Sequence, residues 1–173
     1  MGIPVDRRRD DESAAGGGFT GPNPTDRAKS GTKRSLQTDG AGVPIGIAVA
    51  GAHRHDSKLL EPTIRSIPVQ RPQPTRACAQ GMCLDKGYDY PFVREILKAF
   101  GYVPHIRSRK EETIAKSTVP HYRARRWVVE RTHSWFNRYR RLLIRWEKKP
   151  ENYQGFLVFV CGIIAFRAAG VFG

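Results

Sequence analysis

Sulfur is scarce in this chain: its 173 residues include three cysteines, Cys78, Cys83 and Cys161, and two methionines. An odd cysteine count with neither a short Cys-x-x-Cys spacing nor a nearby histidine pair excludes a structural zinc site and argues against a disulfide framework. The three are read as reduced thiols of a cytoplasmic protein. Long apolar runs are also missing. The stretch from Phe156 to Phe172 is shorter than the ~20 residues a membrane span needs and has Arg167 inside it, so it reads as a buried core helix. No secretory signal opens the chain, because Arg7, Arg8, Arg9, Asp10, Asp11 and Glu12 crowd the place of its apolar segment. Acidic residues are few beside basic ones, 16 against 30, for a formal charge of +14. That excess sets the chain apart from an ordinary soluble enzyme and calls for a polyanionic partner. A hydrophobic content of 39% nevertheless excludes a wholly disordered basic tail, and the length suits one domain.

Residues 1–31 combine the charge cluster with Gly16-Gly17-Gly18 and Gly21-Pro22-Asn23-Pro24 and have almost nothing apolar to bury. They are expected to form a flexible leader ahead of a folded domain over 32–173. Lys33 to Asp39 and Val43 to Ala50 read as two strands joined at Asp39-Gly40-Ala41-Gly42. Asp56 is placed to cap a helix through Leu59, Leu60 and Ile64 that ends at Pro68. Cys78 to Leu84 reads as a buried strand, Pro91 to Phe100 as a helix stopped by Gly101, and Tyr102 to Ile106 as a further strand. A long helix is expected from Tyr122 to Trp146, with Val128, Trp135, Tyr139, Leu142 and Trp146 on its core stripe. Pro150 separates it from a last helix over Asn152 to Ala169. The order implies an α/β fold with a mixed sheet.

Two carboxylates stand at strand ends, Asp39 and Asp85, and Glu130 lies inside the arginine-rich helix. Oxygen ligands from separate elements suit hard divalent cations. Two such ions about 3.5 to 4 Å apart can activate an attacking oxygen and stabilise a leaving one in phosphoryl transfer. Each residue also has a structural reading: Asp39-Gly40 as a turn, Asp85 as a hydrogen-bond acceptor at a strand end, Glu130 as a partner for Arg126 one turn earlier. His53, His55 and Asp56 invite a metal reading, but Mg²⁺ prefers oxygen and Asp56 suits a helix cap.

Four ordered blocks carry a resemblance. They are Gly31-Thr32-Lys33-Arg34-Ser35-Leu36-Gln37-Thr38-Asp39-Gly40, Gly51-Ala52-His53-Arg54-His55-Asp56, Leu84-Asp85-Lys86-Gly87-Tyr88-Asp89 and Arg126-Trp127-Val128-Val129-Glu130-Arg131. Together they resemble bacterial insertion-sequence DDE transposases over roughly Asn23 to Ala169. The resemblance implies a ribonuclease-H-like mixed sheet flanked by helices. It implies Asp39, Asp85 and Glu130 as catalytic residues and ligands of two Mg²⁺ or Mn²⁺ ions. Arg126 and Arg138 flank the glutamate, and Tyr122 stands upstream. The implied activity is cleavage of transposon ends and strand transfer into target DNA, by a homo-oligomer in a synaptic complex associated with the bacterial nucleoid. Such proteins usually carry a further end-recognition region, so a truncated copy or a product completed by an upstream-frame polypeptide is expected.

Between Arg107 and Lys149 the chain has 14 basic residues against 4 acids, so this segment supplies +10 of the +14. Much of that charge is expected to follow DNA phosphates, through Arg126, Arg131, Arg138, Arg140 and Arg141, with Lys86 close to the scissile group. Trp127 is the candidate for stacking on a base. Two other readings share the charge: a non-catalytic basic protein that coats nucleic acid, and a ribonuclease-H-like nuclease that hydrolyses without joining.

Overall fold

Seven strands and five α-helices make up the described part of the chain, in a computed structural model that covers residues 2–5, 10–12, 18–24, 29–106, 111, 114, 117–118 and 127–170. The strands are β1 (Gly2–Val5), β2 (Asp10–Glu12), β3 (Gly21–Pro22), β4 (Ser30–Thr38), β5 (Pro44–Gly51), β6 (Gln80–Leu84) and β7 (Tyr102–Ile106). The helices are α1 (Leu60–Arg65), α2 (Pro91–Ala99), α3 (Trp127–Phe136), α4 (Arg140–Leu143) and α5 (Pro150–Ala168).

β4 organises the sheet. One of its edges pairs antiparallel with β5 from Thr32 opposite Gly51 to Thr38 opposite Pro44. The other edge takes β2, with Asp10 opposite Lys33, and β1, with Val5 opposite Gln37, both antiparallel. β1 then runs parallel to β6, and β6 parallel to β7. The sheet is therefore mixed, as the element order implied. The leader expected over 1–31 instead contributes β1, β2 and β3. Its short, glycine- and proline-rich segments bury too little to signal strands on their own, and what orders them is backbone pairing to β4 and β6, residues distant in sequence.

The period-2 alternation of β4 sends side chains to two separate cores. Leu36 joins Ile47, Val129, Phe136, Leu142, Tyr153, Leu157, Val160 and Ile164 beneath α3 and α5. On the opposite face Thr63 of α1 donates to Ser35 at 2.8 Å, and Gln37 donates to the Tyr102 hydroxyl at 2.9 Å. That face holds the second cluster, built from Leu60, Ile64, Met82, Leu84, Tyr88, Val93, Leu97 and Tyr102.

Proline at the first turn starts both α2 and α5, where its missing N–H costs nothing. Two local expectations need correction. The turn of 3₁₀ helix ahead of α1, Asp56–Leu59, is capped by the His55 ring, which accepts from Ser57 N at 3.3 Å, while Asp56 pairs with Lys33 at 3.1 Å. The helix expected to reach Trp146 stops at Phe136, and Trp146 is 60% exposed. Between them the chain bends at Tyr139, and Arg145 rather than Trp146 turns inward. Arg145 is fully buried and donates to Thr32 Oγ1 and Gly18 O at 2.7 Å each and to Glu147 O at 3.0 Å. Among the described residues no helix is long and apolar enough to cross a membrane, and all three cysteines are free.

Candidate functional site

Parallel strands β1, β6 and β7 end on one side of the sheet, and in open α/β sheets ligands gather beyond such carboxyl ends. Asp85 lies there, the residue after Leu84 of β6. Its backbone is extended, and its Oδ1 accepts from Gly87 N at 2.9 Å, capping the 3₁₀ turn Lys86–Tyr88. Among the described residues its Oδ2 has no hydrogen-bond partner.

Glu130 is exposed on α3, and no ion pair or hydrogen bond involves its carboxylate among the described residues. α3 is held by the β4–β5 turn. Thr132 Oγ1 donates to Gly42 O at 2.7 Å, and Arg131 donates to Ala41 O. Gly42 has φ +88°, and a β-carbon there would lie 2.7 Å from the Arg131 guanidinium and 3.3 Å from Val128, so the helix approaches the turn closely. Thr132→Val should lower unfolding free energy by about 1–2 kcal/mol, since Gly42 O loses its donor in a dry contact. Urea denaturation checks this, and an unchanged midpoint would remove Thr132 as an anchor of α3.

Asp39 is not brought to Asp85. Gln37, Val5 and Leu84 stand level across β4, β1 and β6. From that level Asp39 lies two residues toward the start of β1, while Asp85 lies one residue beyond its end. The two are therefore offset by three residues, about 10 Å along the strands, and by two strand spacings, about another 10 Å. Metals about 3.5 to 4 Å apart cannot be shared over that gap. Asp39 Oδ1 is instead closed into its own turn, accepting from Ala41 N at 2.9 Å and Val43 N at 2.8 Å. Nor does Glu130 face Asp39. Val128 and Thr132, which touch the turn, are each two residues from Glu130, placing it about 160° around the helix from them. Accordingly, among the described residues no three carboxylate, histidine or cysteine side chains group to hold a metal.

The strand beside β6 is β1, which by composition reads as leader. Val5 and Leu84 pair in register, and in the sequence each is followed by an aspartate, Asp6 and Asp85. The repeated pattern of apolar residue then aspartate was a visible but weak signal without the pairing.

The basic residues divide. Lys86 is tied to Asp89, which also holds Arg94 at 2.6 Å. The two cations hold the Asp89 carboxyl below the usual range, and Asp89 raises the Lys86 ammonium. Arg131 is stacked between Trp127 and Trp135, 4.6 and 4.9 Å from their ring centroids, so one face of the exposed Trp127 is already occupied. Arg138, Arg140 and Arg141 are exposed, Arg141 with Glu147 at 3.4 Å. Arg138 and Arg167 flank a cleft of about 540 Å³ with Trp135 and Tyr139. Arg126 and Tyr122 lie outside the described residues. Among the described residues His53 and His55 belong to no cluster of three metal-ligating side chains. The His53 ring fills the space that a β-carbon on Gly21 or Gly51 would need, and His55 meets Ser57 Oγ at 2.7 Å and the Tyr90 ring edge-on.

Compared with known proteins, residues 3–162 match the family model described as the transposase DDE domain. A Burkholderia cepacia protein assigned as the transposase for insertion sequence element IS402 is 38% identical over 157 residues, covering 86% of this chain and 69% of that protein. The family match begins inside β1, within the stretch that composition marks as a leader.

Proposed function

The chain belongs to the transposase DDE-domain family, and from that premise we propose that it cleaves DNA at insertion-sequence ends and joins them to a target, with Asp85, Glu130 and Asp6 as its acidic residues. Support comes chiefly from one observation: β1 and β6 run parallel with Val5 level with Leu84, and each strand is followed in the sequence by aspartate. A ribonuclease-H-like arrangement accounts for the mixed sheet and its flanking helices.

The donor set is all oxygen, and Asp85 Oδ2 and Glu130 have no protein partner among the described residues, which fits a hard cation such as Mg²⁺. Asp6, Asp85 and Glu130 would hold it, and when bound it lowers the pKa of an attacking water and offsets charge on the leaving oxygen. In hydrolysis the water oxygen bonds to phosphorus as the bond to O3′ breaks, leaving a 3′ hydroxyl and a 5′ phosphate. In joining, that 3′ oxygen bonds to a target phosphorus as the target's own P–O3′ bond breaks, and the departing target 3′ oxygen takes up a proton. Asp85 is oriented for its part by the Gly87 N–H, which fixes one carboxylate oxygen and leaves the other without a hydrogen bond among the described residues. Arg138, Arg140 and Arg141 offer exposed charge for the DNA backbone, and Lys86 reaches a phosphate only by exchanging Asp89 for it.

The test incubates the full chain with labelled DNA carrying the element's end and an unlabelled target plasmid. Label joined to target in Mg²⁺ and lost with EDTA is the expected result. Cut but unjoined ends would reduce the activity to a nuclease. Binding that falls with salt and yields no cleavage in any metal would leave only a nucleic-acid coat protein.

A further inference from the structure

The chain from Arg140 to Lys149 closes into a loop with an apolar crest and basic shoulders. Arg141 pairs with Glu147 at 3.4 Å across its base. Two side chains turn inward and hold it, Leu142 in the core beneath α3 and α5 and the fully buried Arg145. Ile144 has extended backbone, with φ −127° and ψ 122°, and Arg145 forms a β-bridge, so successive side chains point to opposite sides. With Arg145 inside, Ile144 and Trp146 are sent outward together. Leu143, Ile144 and Trp146 are 48%, 38% and 60% exposed, and none of them belongs to either core cluster. Single exposed apolar residues are ordinary, but three within four positions form a patch.

Charge says what the patch faces. Arg140 and Arg141 stand on one shoulder and Lys148 and Lys149 on the other, all of them exposed. Among the described residues no carboxylate pairs with Arg140, Lys148 or Lys149. A second copy of this loop would set the same four cations against them, and an apolar protein surface would leave them without a counter-charge. The surface that fits carries anions on both sides of an apolar layer. Duplex DNA has that arrangement, with two phosphate strands around stacked bases.

The geometry points to this crest as a wedge that enters between base pairs of bound DNA and kinks it, while Arg140, Arg141, Lys148 and Lys149 hold the phosphates on either side. Apolar side chains inserted between base steps unstack them and bend the duplex by about 20–90°. Phosphate contacts alone position a protein on DNA. The crest therefore adds a deformation that the arginine-rich charge by itself does not supply. A wedge also needs a stiff backing. Arg145 provides it, tying the loop to Gly18 O and Thr32 Oγ1 at 2.7 Å each and to Glu147 O at 3.0 Å. The inference rests on the reading that the chain acts on DNA, and is independent of which carboxylates are catalytic.

Energy transfer between dyes at the two ends of a duplex of about 20 bp provides the test, since a central kink of about 60° brings ends about 68 Å apart closer by about 9 Å. The full chain is used in EDTA, so cleavage plays no part, and each variant is read at a concentration that saturates the DNA. Binding of the parent should raise transfer by about half or more. Ile144→Ser with Trp146→Ser should abolish the rise with the thermal midpoint unchanged, both positions being exposed, and Trp146→Phe should keep it. Lys148→Ala with Lys149→Ala should do the opposite, lowering the salt slope of binding by about 0.9 per lysine yet bending fully at saturation. DNA bound with no change in transfer, or a rise that survives loss of Ile144 and Trp146, would overturn the wedge and leave the action on DNA standing. No DNA binding even at low salt would overturn both. Sedimentation with anionic phosphatidylglycerol vesicles in preference to DNA, lost with Trp146→Ser, would assign the crest to a membrane surface and overturn the wedge as well.

Discussion

End cleavage falls by at least about 10³-fold in Asp85→Asn, Glu130→Gln and Asp6→Asn, and stays within a few fold of the parent in Asp39→Asn. The expected loss follows from removing a charged metal ligand, which withdraws several kcal/mol of transition-state stabilisation, at about 1.36 kcal/mol per tenfold. Sparing Asp39 follows from strand direction. β4 runs antiparallel to β1, so the residue after Thr38 lies toward the beginning of β1, away from Asp85. Asparagine also keeps the oxygen that accepts from Ala41 and Val43. Asp39→Ala removes it and should cost about 1–2 kcal/mol of stability through two unpaired turn N–H groups. Labelled-end cleavage alongside circular dichroism distinguishes the two roles. Loss of cleavage in a folded Asp39→Asn with retention in Asp6→Asn would reverse the assignment.

Arg145→Met is expected to lower unfolding free energy by about 3–5 kcal/mol. The side chain is fully buried, and it joins three parts of the chain: Gly18 before β3, Thr32 in β4 and Glu147 ahead of α5. Its guanidinium also lies 5.0 Å from the Tyr153 ring centroid. Burial lowers its pKa from the ordinary arginine value, but the group stays charged at any working pH. Methionine fills much of the volume but leaves the buried Thr32 hydroxyl without its charged donor, a loss of about 1–3 kcal/mol, and two part-buried carbonyls without theirs, each a smaller loss. Lysine cannot restore a forked donor set, so Arg145→Lys should recover little. In a chain of this size the loss corresponds to a midpoint lower by about 10 °C. By contrast Arg140→Ala, on an exposed position, should change stability by no more than about 0.5 kcal/mol. Equal effects of the two would remove Arg145 as a structural tie.

Elements with strong local patterns were legible from the residues. Tyr102–Ile106, the hairpin around Asp39 to Gly42, the helix from Pro91 and the last helix, expected from Asn152 and found to begin at Pro150 itself, follow from turn residues, proline position and apolar spacing. β1 was not legible, because Gly-Ile-Pro-Val carries little β signal and is ordered by Gln37 on one side and Gly81 to Leu84 on the other. The arginine-rich segment was legible as a total charge but not as a distribution. Composition treats Arg131, Arg145 and Arg140 alike, whereas one is stacked between two indoles, one is buried and one meets solvent.

By itself, then, the sequence determined that this is a basic α/β protein of the insertion-sequence DDE type, since composition, turns and motif blocks are local properties. It also marked Asp85 and Glu130 as candidates. Which aspartate is proposed to accompany them rests on the strand pairing of the tertiary structure. A strand end is visible in one dimension, but the side of the sheet to which it belongs depends on whether its neighbour runs parallel or antiparallel. That choice is made by hydrogen bonds between residues more than thirty positions apart.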